Sequence, residues 1–138
     1  MGFELVTYHF TLRLLTDVHE EDLGYPVNTT LNVSVMSDGF SACASMDVSA
    51  RGLAVFAQQL HEIYGSLSGT ARIEEPYGQH MYLAFEGDGR GHVSVKGRLC
   101  SANQNGAVQT LEFQNCIDQT ELKSFCAALE TAFRPYLR

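Results

Sequence analysis

Residues 29–67 read TTLNVSVMSDGFSACASMDVSARGLAVFAQQLHEIYGSL, and the fold class turns on a change of period inside them. In 29–36, Leu31, Val33 and Val35 alternate with polar neighbours; in 40–48, Phe40, Ala42, Ala44, Met46 and Val48 do the same. A period of two places each set on one face of a strand. Ser37-Asp38-Gly39 lies between them, and Asp-Gly between alternating runs marks a hairpin because both residues tolerate positive φ. After Val48 the spacing lengthens. Leu53, Phe56, Leu60, Ile63 and Leu67 make one stripe of a helix, and Ser49 stands where a cap is needed.

Upstream, Glu4 to Leu15 is predicted as one strand with Val6, Tyr8, Phe10, Leu12 and Leu14 on a common face. The segment TDVHEEDLGYPVN at 16–28 is predicted as a long exposed loop. Downstream, strands are predicted at 70–75, 80–87, 92–100 and 107–115. A second helix opens on Asp118, with Glu121 three residues later as its capping-box partner and Ile117 and Leu122 as the staple. Its buried stripe is Leu122, Phe125, Cys126, Leu129 and Phe133, and Pro135 ends it. The order β-β-β-α-β-β-β-β-α predicts one α+β domain over residues 1–138. Its expected architecture is an antiparallel curved sheet of six or seven strands with both amphipathic helices on one face.

The 138 residues carry 9 Lys and Arg against 16 Asp and Glu, a net charge of −7. Nucleic acid and anionic membranes want a positive surface, so neither is expected as a partner, whereas a basic protein suits this charge. The opening MGFELVTYHFTLRLL alternates and has no basic, apolar and cleavage regions in series, so no leader is read there. The longest uniformly apolar run, Leu53–Ala57, is too short to span a bilayer, and a soluble cytoplasmic protein is expected. Cys43, Cys100, Cys116 and Cys126 form no C-x-x-C pair and are read as reduced, buried thiols.

Gly87-Asp88-Gly89-Arg90-Gly91 raises the question of a phosphate cradle. Such a cradle needs a helix N-terminus after the glycines, and here one alternating strand leads into another. The stretch is read as a hairpin turn. His9, His19, His61, His80 and His92 form no H-E-x-x-H, and no serine sits in a G-x-S-x-G elbow. No catalytic residue, metal or cofactor is assigned. Asp17, Glu20, Glu21 and Asp22 in the exposed loop, and Glu74, Glu75 and Tyr77 at a strand end, are the candidate contacts for a basic protein; a plain solvated surface and a divalent-ion site are the other readings of both groups. Self-association through a sheet edge or face, giving a homo-oligomeric scaffold such as a homodimer, is the alternative to a foreign partner, and a small-molecule carrier or enzyme with a pocket between sheet and helices is a third reading.

The succession SDGFSACASMDV, GLAVFAQQLHEIYGSLSGTARIEE, LAFEGDGRGHVSVKGRL and LEFQNCIDQTELKSFCAAL resembles immunity proteins of the WapI type. The shared pattern is a Gly-Leu opening a helix, a Leu-Ser-Gly step into a strand, an Asp-Gly-x-Gly-His-Val hairpin, and a second helix opening on Asp-Gln-Thr-Glu-Leu. It covers about residues 37–130 and leaves the first 36 unmatched. The resemblance implies a bacterial protein that neutralises a toxin domain, typically a nuclease, by binding it and without chemistry of its own.

Overall fold

The computed structural model describes residues 1–78 and 80–137. Its elements are β1 (Gly2–Val6), β2 (Phe10–Val18), β3 (Thr29–Ser37), β4 (Phe40–Val48), α1 (Ala50–Ser66), β5 (Ser68–Glu74), β6 (Tyr82–Asp88), β7 (His92–Ala102), β8 (Val108–Asp118) and α2 (Lys123–Phe133). The class is α+β, as expected, but the strands form two sheets. Each is a four-stranded antiparallel meander, β1-β2-β3-β4 and β5-β6-β7-β8.

Two local facts account for the difference. The stretch read as one strand from Glu4 to Leu15 is a hairpin, reversing at Thr7-Tyr8-His9, where the Thr7 N–H and hydroxyl both donate to the Phe10 carbonyl at 2.7 and 3.0 Å. Val6 and Tyr8 are therefore exposed, while Phe10, Leu12 and Leu14 stay inward as expected. The second fact is α1 itself, which leaves the end of β4 and delivers the chain to β5, along which it packs. β5 then pairs with β6 and starts a separate sheet. Phe40, expected inward, is 68% exposed because it stands at the tip of the β3–β4 hairpin.

The inner faces of both sheets share one core with the helices. Ring pairs mark the joins: Phe3 of β1 with Phe133 of α2 at 5.9 Å, Phe10 of β2 with Phe113 of β8 at 5.7 Å, and Phe56 of α1 with Phe85 of β6 at 5.7 Å. Phe85 also stacks on Phe125 of α2 at 6.2 Å. Each such side chain contributes about 1.5–3 kcal/mol by leaving water. Leu53, Phe56, Leu60 and Ile63 line the buried stripe of α1, and Leu122, Phe125, Cys126, Leu129 and Phe133 that of the C-terminal segment.

Helix starts follow the sequence closely. The Gly52 N–H donates to Ser49 Oγ at 2.8 Å. Asp118 and Glu121 form the reciprocal capping box, though the first turn, Gln119–Leu122, is a 3-10 turn before α2 proper. Leu67 is not the last member of the α1 stripe but its left-handed cap, with φ +66°. The glycine stretch 87–91 ends β6 and makes the β6–β7 turn. Gly89 and Gly91 hold φ of +83° and +101°, and the Asp88 carboxylate accepts the backbone N–H groups of Arg90 and His92 at 2.7 and 3.1 Å. Those two bonds hold the Asp88 pKa below its ordinary value.

Candidate partner-binding site

The loop from His19 to Asn28 is built on Asn28, which is buried. Its side-chain oxygen accepts the Ala50 N–H at the start of α1 and the Thr29 hydroxyl, both at 2.9 Å. Its amide donates to the Tyr25 carbonyl at 3.1 Å, and its backbone carbonyl accepts from the His19 N–H at 2.8 Å. One residue thus fixes both ends of the loop and joins it to the helix. Between them Glu20–Asp22 form a 3-10 turn, and Tyr25, 66% exposed, projects beside Pro26.

Across from this loop runs the segment after β5. The Asp47 N–H of β4 donates to Glu75 Oε2 at 3.2 Å, which draws that segment against the edge of the first sheet. Asp22, Tyr25, Pro26, Val27, Asp47 and Tyr77 line the resulting open cleft of about 640 Å3. Tyr77 is 69% exposed. None of these described lining residues is a Lys or Arg, and the Asp22 and Asp47 carboxylates are joined at the edge of the cleft by that of Glu75.

The seven candidate residues divide on this geometry. Asp22, Glu75 and Tyr77 come together at the cleft. Asp17 is on the outer face of the first sheet, on β2, separated from Asp47 of β4 only by Thr30 of β3. Glu21 is exposed on the 3-10 turn. Glu20 points elsewhere: the Tyr136 hydroxyl donates to it at 3.0 Å, tying the loop to the C-terminal segment and raising the Tyr136 pKa. Glu74 faces the outer side of the second sheet, paired with Arg72 at 3.3 Å, and that guanidinium lies 4.2 Å over the Tyr82 ring. Of the four lining residues missed from sequence, two, Asp47 and Tyr25, bring a polar group to the cleft. Asp47 reads in the sequence only as a polar strand position, and Tyr25 as part of a loop; the register Asp17–Thr30–Asp47 is the signal that links the first to the acidic loop.

The cysteines form no disulfide, and only Cys100 and Cys126 are buried. Cys43 and Cys116 fall on outward strand positions and are exposed, which corrects their reading as buried thiols. No helix among the described residues is long and apolar enough to cross a membrane.

Neither a curated protein nor a solved structure matches the chain significantly. A family model described as "Immunity protein WapI-like family" matches residues 3–137, which takes in residues 3–36 that the sequence pattern left out. Strands β1 to β3 and the acidic loop are thus part of the shared unit, and the chain belongs to the WapI-like immunity protein family.

Proposed function

We propose that this chain is a non-catalytic, cytoplasmic immunity protein, acting as one domain, that neutralises a basic toxin domain, a nuclease in the family's usual manner, by direct binding. The observation that supports the reading is the cleft in which Asp22, Asp47 and Glu75 gather with Tyr25 and Tyr77, with no Lys or Arg among its described lining residues. Carboxylates steer a basic partner into encounter, and exposed tyrosines supply contact area at low entropic cost. Asp17 and Glu21 extend the negative surface around it. The test is protection: cells expressing the cognate toxin domain survive with this chain and die with a variant carrying Asp22→Asn, Asp47→Asn and Tyr77→Ala. Survival with that variant at equal protein level refutes the cleft as the contact.

A homodimer has its own supporting observation. The outer face of the first sheet carries exposed Val6, Leu15 and Met36 among Thr11, Asn32, Ser34, Cys43 and Ser45, with the Glu4–Arg13 pair the main charge in its middle. Sedimentation at several concentrations separates the readings, since a toxin inhibitor has no need to assemble with itself.

A further inference from the structure

We propose that His61 on α1 and Cys126 and Glu130 on α2 form a zinc site that clips the two helices together. A ring nitrogen of His61, Cys126 Sγ and a Glu130 carboxylate oxygen lie within 4.8 Å of one another. No sequence motif announces the group, because its members come from two helices that only packing brings side by side. Cys126 and Glu130 are four residues apart and so share a face of α2.

The donor set and geometry suit zinc. Zn–N, Zn–O and Zn–S bonds of about 2.0–2.3 Å in a tetrahedron put neighbouring donors about 3.3–3.7 Å apart. His61 Nδ1 stands 3.0 Å from Glu130 Oε2, near such an edge. Cys126 Sγ stands no more than 4.8 Å from the other two donors, within about 1 Å of such an edge. One thiolate, one imidazole and one carboxylate favour zinc over magnesium or calcium, which take oxygen alone. The thiol proton leaves to solvent when the metal binds, and thiolate plus carboxylate then balance the ion's two charges. Arg134 Nη2 holds the other Glu130 oxygen, Oε1, an outer contact of the kind that orients a ligating carboxylate. His61 has 62% of its side chain exposed, so the ion has a way in and water fills the fourth position. The site stands independently of the toxin-binding reading, because it uses no residue of the cleft.

The test uses the full chain after chelator treatment, titrated with zinc against a chromophoric chelator and, separately, with cobalt(II). One equivalent of zinc should bind, and the cobalt form should show a thiolate-to-metal charge-transfer band. His61→Ala, an exposed substitution that leaves the core intact, should weaken zinc binding at least about tenfold, and Cys126→Ser should abolish the cobalt band. Should Cys126→Ser fail to fold, the zinc affinities of His61→Ala and Glu130→Gln decide the matter. No stoichiometric uptake by the wild type, or unchanged affinity in His61→Ala, would overturn the site.

Discussion

The backbone N–H of Asp47 donates to Glu75 Oε2 at 3.2 Å, linking two segments that lie on opposite sides of α1 in the chain. Through this bond the turn after β5 becomes one wall of a cleft whose other wall is the loop after β2. The carboxylate that makes the bond also adds to the negative charge of the cleft, so structure and electrostatics depend on the same side chain.

Asn28 is the residue on which the loop wall rests. Asn28→Ala leaves the buried Ala50 N–H without its acceptor, and a buried donor so stranded costs about 1–3 kcal/mol. Thermal or urea unfolding should show a loss of that size. Proteolysis of the native protein should begin within 19–28, because the same substitution frees the Tyr25 carbonyl.

A second stability test concerns the approach of β6 to the end of α1. A Cβ on Gly87 would stand 2.4 Å from the Leu67 carbonyl oxygen, a backbone atom that cannot move aside cheaply. Gly39 has nothing within 4 Å of the same position and an ordinary φ. Gly87→Ala should therefore destabilise by about 1–3 kcal/mol, while Gly39→Ala should change the midpoint of unfolding little.

These features show what could be read from the chain and what could not. Asp38-Gly39, Ser49, the Asp118–Glu121 box and both helix stripes act over a few residues, and each was legible because local chemistry decides it. The reversal at Thr7–His9 was not. The β1–β2 turn holds no Gly, Pro, Asn or Asp, and Val6 and Tyr8 continue the alternation straight through it. The split into two sheets was hidden for another reason: alternation tells which face a residue takes, not which strand it pairs with. For the site, the acidic residues could be named, but Glu20 is taken up by Tyr136, 116 residues away in sequence, and Glu74 by Arg72, which shares its outer face of the second sheet, turned from the cleft. Asp47 joined the cleft only through strand register.

Cys126 gives a prediction in pH. Burial, and then the nearby Glu130 charge, raise its pKa from 9.0 to about 11. The fold favours the neutral thiol, so that part of the stability is fully present below pH 9 and is lost as pH rises towards 11. In metal-free protein near pH 8 its thiolate fraction should be about a hundredfold below that of a thiol at 9.0. Alkylation followed by peptide mapping should label the exposed Cys43 and Cys116 first, and Cys126 only on unfolding.

The tyrosines and carboxylates of the cleft should separate kinetically. Truncating Tyr25 or Tyr77 to Ala removes contact area and should speed dissociation from the toxin domain, leaving association nearly unchanged. Glu74→Gln, whose carboxylate is already paired with Arg72, should alter neither rate by more than about twofold.

The most direct measurement is the association rate of the cognate toxin domain with wild-type protein and with the Asp22→Asn, Asp47→Asn double variant, taken across a range of ionic strength. Steering by the cleft predicts about a tenfold slower association for the variant at low salt, converging on the wild-type rate as added salt screens the charges. Equal rates at low salt, with the variant folded and binding, would contradict the cleft as the surface that meets the toxin.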